Sequence, residues 1–433
     1  MKPFQHSRVF KAIACLFVFL SSCTSPAANT QIVTFMIFGD PSERQAYIDL
    51  AEAFHQTRQD ISVEITHVPS AREYRTRLAT EFASGNPPDI TLWNYRRYAN
   101  FAAGDLFEPL GPYIANSDLI QIEDFFPIAI EPFMWQGELM CIPQNISSLV
   151  VYYNQDLFDA AGIPYPSNDW TWDEFVETAV ALTKDFDDDG VVDQYGLGTE
   201  ISLYRLAPFV WQNAGPIVDN FDNPNRLTLS RPPSLEALQW FADLRQVHGV
   251  LPGRTEETAM DSESRFVAGL TAMFLNSRIG VPSYREIESF AWDVAPLPQN
   301  KTAANILHSD AYCLSKATKN KDAAWAFIEF ANSFEGQTFI AQSGRTVPSL
   351  IKVAESNAFL DPTQRPYNSR IWLDTVPTLQ MVPVISTWQE IETVSSEEIK
   401  RAVYGEITVE EAAALAFMRT EEYFLLGVTA QRR

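Results

Sequence analysis

The sequence predicts an α/β fold on a mostly parallel sheet. From Gln31 to Trp93, strand-like and helix-like segments alternate with short connections, the pattern of a parallel sheet covered by helices on both faces. The helical segments also open on capping residues and stop at Gly or Pro punctuation, so the alternation is bounded as well as periodic.

Gln31 to Phe38 (QIVTFMIF) is an apolar strand. Asp40-Pro41-Ser42-Glu43 supplies an N-cap, a proline in the first turn and a capping-box glutamate for a helix reaching about Thr57. Ile61 to Val68 alternates as a second strand. Arg72 to Ala83 is a helix stopped at Ser84-Gly85-Asn86-Pro87-Pro88, and Asp89 to Trp93 is a third strand. Ligands of such sheets lie beyond the carboxyl ends of the strands, which puts Phe38 to Glu43 and Trp93 to Tyr95 on one rim.

The run from Met134 to Asn154 is extended apart from Pro143 and a polar patch, as a strand passing between lobes would be. Asp156 to Ala161 is a short helix closed by Gly162, and Thr171-Trp172-Asp173-Glu174 caps a helix to about Thr183. Leu227 to Leu229 is a short strand, Ser234 to Val247 and Ser262 to Ala268 are helices, and Ala272 to Leu275 is a strand. Helices follow over Lys321 to Phe334 and Gly336 to Gln342. A final helical region runs from Leu373, punctuated by Pro377 and Pro383. There is no internal repeat.

The N-terminus carries Lys2, Arg8 and Lys11, an apolar stretch from Ala12 to Leu20, and then Leu20-Ser21-Ser22-Cys23. This is an export signal ending in a lipobox: residues 1–22 are the signal peptide and 23–30 a polar tether lipidated at Cys23. The stretch is too short to span a hydrocarbon core that needs ~20 residues of helix. The protein is expected outside the cytoplasm, held by its N-terminal lipid to a bacterial cell membrane. With 433 residues, two or three domains are expected. A formal charge of −23 argues against a nucleic-acid partner, although a local basic pocket could still hold an anion. Outside the leader and Cys23 only Cys141 and Cys313 remain. They are open to a disulfide or to free, buried thiols.

Four stretches together resemble one family. They are Ala83-Ser84-Gly85-Asn86-Pro87-Pro88-Asp89-Ile90; Gly137 to Pro143 followed by Leu149 to Phe158, Ala161-Gly162 and Thr171 to Phe175; Trp292 to Pro298; and Ala323 to Phe330 with Gly344-Arg345-Thr346-Val347-Pro348. In order and spacing the chain resembles the extracellular solute-binding proteins of ABC importers, the group that includes maltose-binding and glycerol-phosphate-binding proteins. The resemblance implies a two-lobed periplasmic-binding-protein fold with an interlobe cleft and discontinuous lobes, 31–145 plus 301–355 and 146–300 plus 356–433. It further implies capture of a small-molecule solute and delivery to ABC permease transmembrane subunits. Cys141 stands where the family often has Tyr.

A sugar cleft needs polar groups for hydroxyl edges and aromatic platforms for C–H faces. Candidate platforms among the ten tryptophans are Trp93, Trp135, Trp211 and Trp372, each beside a strand end or polar stretch; Trp240, Trp292 and Trp325 read as core. Candidate polar contacts are Asp40 and Glu43 on the rim, Asn145 and Ser147 after the crossing, Ser277 and Arg278 after a strand, Asp310 with His308 and Ser309, Arg345, and Arg370. A sugar or oligosaccharide is the expected ligand. The alternative is a glycerol-phosphate-like solute met by Arg278 and Arg345, with serines beside them. An exported glycoside hydrolase needs two carboxylates roughly 5 to 9.5 Å apart, which sequence spacing cannot exclude. There is no Gly-x-Ser-x-Gly, His-Glu-x-x-His or Walker motif. No cofactor or metal is expected. The run Asp185 to Asp193 resembles a calcium loop but has Gly196 where a bidentate Glu belongs, so it reads as a solvated acidic loop.

Overall fold

The computed structural model describes Met1 and residues 30–430. The expected signal peptide, Cys23 and nearly all of the tether lie outside the described residues.

The first sheet has five strands in the order Ile61–Val68, Gln31–Phe38, Ile90–Asn94, Asp310–Leu314, Cys141–Pro143. The first three are parallel, with Gln31 opposite Ile61 and Phe35 opposite Ile90, because helices Pro41–Thr57 and Ala71–Ala83 make the crossovers between them. Asp310–Leu314 is antiparallel to both neighbours. It arrives from a distant segment, which makes the sheet discontinuous in sequence.

The second sheet has four strands in the order Trp292–Ala295, Val150–Asn154, Thr271–Asn276, Tyr195–Thr199. Every residue in these four strands is buried. Only the last two strands are parallel; the other two pairings are antiparallel. The mostly parallel expectation therefore holds for the N-terminal strands and fails here, where each strand is fed by a long excursion of the chain rather than by a short crossover helix.

Two segments cross side by side between the sheets. Ser147 and His308 exchange backbone hydrogen bonds at 2.8 Å in both directions. Asn305 holds the Leu149 backbone with its side-chain amide, donating to the carbonyl at 2.8 Å and accepting from the N–H at 3.1 Å. At the first-sheet end of this pair Cys141 faces Cys313 in register, and the two form a disulfide.

One expectation is corrected, and a helix was not foreseen. Leu227 to Leu229 is not a strand; only Leu227 makes an isolated bridge, to Val218. Leu203–Gln212, unmarked in the sequence reading, is a helix with all ten residues buried and Pro208 inside it. A helix buried all round shows no amphipathic period, and its proline reads as a breaker. Helices Pro232–Gln246, Trp388–Val403 and Val409–Leu426 complete the layer beside it.

Candidate functional site

A cavity of about 350 Å³ lies between the two sheets. Phe38 and Trp93 reach it from strand ends of the first sheet, Asn276 from the second, and Ser147 and His308 from the crossing pair. The crevice is where the carboxyl-end rule puts it.

On one side, Asp40 caps its helix, accepting from the backbone N–H of Ser42 at 2.8 Å and of Glu43 at 2.9 Å. Glu43 does not complete the capping box expected of it. Its buried carboxylate turns to Arg345, 2.6 Å away, and Arg345 also pairs with Asp40. The turn depends on Gly39, at φ +122°, where a Cβ would sit 1.5 Å from Glu43 Oε2. Asp40 is held below its ordinary value: burial opposes its charge, but Arg345 and the Ser42 and Glu43 hydrogen bonds outweigh that. Burial pushes Glu43 up to about 8, against the attraction of Arg345 and with the help of Asp310 and Asp40. One arginine cannot neutralise three neighbouring carboxylates.

A pH dependence follows. Glu43 holds a proton in the folded chain between about pH 4.5 and about 8, a range in which the unfolded chain has released it, so folding takes up a proton there. Its contribution is fully present below 4.5, declines as pH rises towards about 8, and is flat above. Melting temperatures from pH 5 to 9 should fall more steeply for the natural protein than for Glu43→Gln. Parallel curves would show that Glu43 is ionised throughout.

Asp310 receives Asn94 Nδ2 at 3.0 Å and Asn145 Nδ2 at 3.3 Å. Asn94 also caps helix Tyr95–Ala103, which carries Arg96 and Arg97 to the cavity. Arg96 Nη1 lies 2.8 and 2.7 Å from the two oxygens of Glu392, and Arg97 pairs with the same carboxylate. Burial favours the neutral acid at Glu392, yet Arg96 and Arg97 hold it below its usual value. Arg96 also lies over the Tyr204 ring, 3.5 Å from its centroid, and Tyr204 stacks on His308 at 4.5 Å. Burial, then the charge of Arg96, pushes His308 well down, so at neutral pH it is an uncharged imidazole. Arg205 donates to Asn276 Oδ1 at 3.0 Å.

Of the expected contacts, Glu43, Trp93, Asn145, Ser147, Ser277, Asp310 and Arg345 line this cavity, with Asp40 behind Arg345. Trp93 is 1% exposed, packs on Phe101 and donates its indole N–H to Thr91, so it is a core ring with one edge at the wall. The other platforms are core residues away from the cavity. Trp135 is buried in a short hairpin, Trp211 lies in the buried helix, and Trp372 donates to the Ser148 carbonyl. Arg278 is buried with its guanidinium over Phe359 and Trp372. Arg370 is half exposed and paired with Glu355.

Sequence reasoning missed Arg75, Arg96, Arg97, Tyr204, Arg205, Asn276 and Glu392. Arg96 and Arg97 directly follow the rim position Tyr95, so their signal was present. Tyr204 and Arg205 sit on the unrecognised helix.

In the acidic loop, oxygens of Asp185, Asp187 and Asp193 lie within 4.8 Å of one another. The backbone amides of Gly190 and Phe186 donate to Asp185 and Asp193. Gly196 lies in a buried strand where a Cβ would meet the Ala179 carbonyl oxygen at 1.8 Å, so no acid can replace it as the twelfth ligand.

Among known proteins, the family described as bacterial extracellular solute-binding protein matches residues 40–338. A putative binding protein of Brucella abortus is 24% identical over 351 residues, covering 78% of this chain and 81% of its own. The mannitol-binding protein of Pseudomonas aeruginosa is 23% identical over 403 residues, covering 86% and 88%. An ABC substrate-binding protein of Listeria monocytogenes, solved in complex with cycloalternan, superposes with a TM-score of 0.82 at 23% identity, over 91% of this chain and 98% of that one; it shares the two-lobed fold.

Proposed function

This chain belongs to the bacterial extracellular solute-binding protein family, and from that premise we propose that it captures a sugar or oligosaccharide between its lobes and delivers it to the permease subunits of an ABC importer. The observation that carries the reading is a convergence of unmet hydrogen bonding. Arg97 Nη1, Ser147 Oγ, Arg205 Nε and Nη1, His308 Nε2 and Thr346 Oγ1 are all buried without a partner, and all belong to residues lining this one cavity. Buried polar atoms are normally satisfied, and a polyhydroxylated ligand presents donors and acceptors to several walls at once. The tyrosine and imidazole stacked at 4.5 Å offer an apolar face beside them. Relatives that bind mannitol and cycloalternan support the same class. The lobes that close are taken as 31–145 plus 301–355 and 146–300 plus 356–433.

Three of the cleft carboxylates are engaged within the protein: Glu392 with two arginines, Asp310 with two amides, Glu43 with Arg345. Of the two arginines expected to meet a glycerol-phosphate-like solute, Arg278 faces aromatic rings rather than the cavity, while Arg345 lines it.

Calorimetry with saccharide panels should find micromolar binding, and small-angle scattering should show a smaller radius when the ligand is saturating, because a solute touching both lobes stabilises the closed form. An unchanged radius at saturation would overturn capture by closure. For the anchor, Cys23→Ala is expected to release a folded, ligand-competent protein from the membrane fraction. Equal retention of both forms, with no lipid on Cys23 by mass spectrometry, would end the lipoprotein reading.

A further inference from the structure

The cavity walls are not alike in charge. One side holds Glu43 and Asp310, served by Arg345; the other holds Arg75, Arg96, Arg97 and Arg205 against two carboxylates, Glu392 and Glu200. Both oxygens of Glu392 are taken by Arg96 and Arg97. Glu200 has a side chain 61% exposed and lies 3.7 Å from Arg205 Nε, beyond a hydrogen bond. Arg205 is 8% exposed and keeps two N–H positions, Nε and Nη1, without partners, and Arg97 keeps Nη1. This side of the cleft is short of negative charge at the place where its donors are free.

The space continues past Arg205. A second cavity of about 410 Å³ shares Glu200, Arg205 and Asn276 with the first, so Arg205 stands at the junction. The acids beyond it are occupied: Glu257 by Ser262, Asp261 by Ser264, and Glu263 by Tyr284. Their oxygens are held by these neutral donors rather than by Arg205, and Glu263 acts on Arg205 only as a charge at a distance. Burial works against the charge of Arg205 and of Arg97 and outweighs the attraction of Glu200 for the first and of Glu392 for the second, and neighbouring Arg96 adds to the burial effect in both.

We infer that the captured saccharide is anionic, carrying a carboxylate or phosphate group that seats against Arg97 and Arg205. This rests on the capture reading above and narrows it. Guanidinium donors form charge-assisted hydrogen bonds to such groups. The seat draws one arginine from helix Tyr95–Ala103, which follows the first sheet, and one from helix Leu203–Gln212 beside the second, so the anion also favours closure. The net charge of −23 repels such a ligand at long range and slows its arrival. Contact with the arginine wall decides its retention.

The test is calorimetry on the purified protein with three probe sets: oligouronates from pectin and alginate hydrolysates, the phosphates glucose 6-phosphate and glycerol 3-phosphate, and neutral malto-, manno- and arabino-oligosaccharides. An anionic probe should bind tightest and weaken with salt, and the set it belongs to distinguishes carboxylate from phosphate. In Arg205→Met the affinity ratio of anionic to neutral probe should fall roughly 10- to 100-fold, with partial recovery in Arg205→Lys. Arg97→Met reads the same ratio if Arg205→Met does not fold. A neutral oligosaccharide binding tighter than every anionic probe, with the ratio unmoved by either variant, overturns the anionic seat and leaves capture standing. Failure of all three sets to bind overturns the capture reading and this inference with it.

Discussion

Replacing Cys141 and Cys313 together by alanine is expected to cost about 5 kcal/mol of stability and lower the melting temperature by roughly 5 to 10 °C. The bridged residues are 172 apart in sequence. Closing so long a loop removes much of the freedom of the unfolded chain, and the closed loop includes all four strands of the second sheet. Both cysteines are fully buried, facing each other on adjacent antiparallel strands. The bond therefore ties the strand that leads into one crossing segment to the strand that follows the other. Thermal or urea unfolding of the double variant, and of the natural protein with strong reductant, should give the same loss. If the unreduced protein and the double variant melt together, the bridge does not support the exported fold.

The N-terminal part of the fold was legible because its signals are local. Asp40, read as a cap, does cap helix Pro41–Thr57, and each strand-to-helix turn is short, although helix Tyr95–Ala103 behind its Asn94 cap was not anticipated. The direction of the second-sheet strands was not legible, since Val150–Asn154, Tyr195–Thr199 and Thr271–Asn276 are partnered across long separations and their continuous burial erases alternation. At the site, the expected rim residues Glu43, Trp93 and Asp310 line the cavity, whereas Trp135, Trp211 and Trp372 lie in the core. Tryptophans were chosen as platforms, yet burying so large an apolar surface in the core is more favourable than leaving it at a wet wall. Trp135 and Trp372 are 2% exposed and Trp211 is 8%. Arg96 and Arg97, three and four residues past Trp93, line the cleft instead. Glu43 shows the same limit: its sequence neighbours fit a capping box, but Arg345, 2.6 Å away, comes from a part of the chain that no local pattern connects to it.

Glu392→Ala is expected to weaken ligand binding at least ~100-fold, with a smaller change in the melting temperature of the ligand-free protein. Glu392 sits on helix Trp388–Val403, which packs against Leu203–Gln212 and Pro232–Gln246 on the second-sheet side. Its two oxygens receive Arg96 and Arg97 from the helix that follows Ile90–Asn94 of the first sheet, so the ion pair spans the cleft. Removing one partner of a buried pair typically costs about 3 to 5 kcal/mol, because the charges left behind stay desolvated. Two guanidiniums are left here, and Arg96 is held beneath Tyr204 as well. The cost falls on the closed form, in which these groups are buried together, whereas opening lets water reach the arginines. Closure and binding are linked, so the penalty appears as lost affinity, and 3 kcal/mol alone is about 100-fold. Glu392→Gln, which keeps the shape and one acceptor, should fall between. Calorimetry and scattering on the three proteins decide the matter: equal affinity and an equal ligand-induced change of radius in Glu392→Ala would show that this bridge takes no part in holding the lobes together.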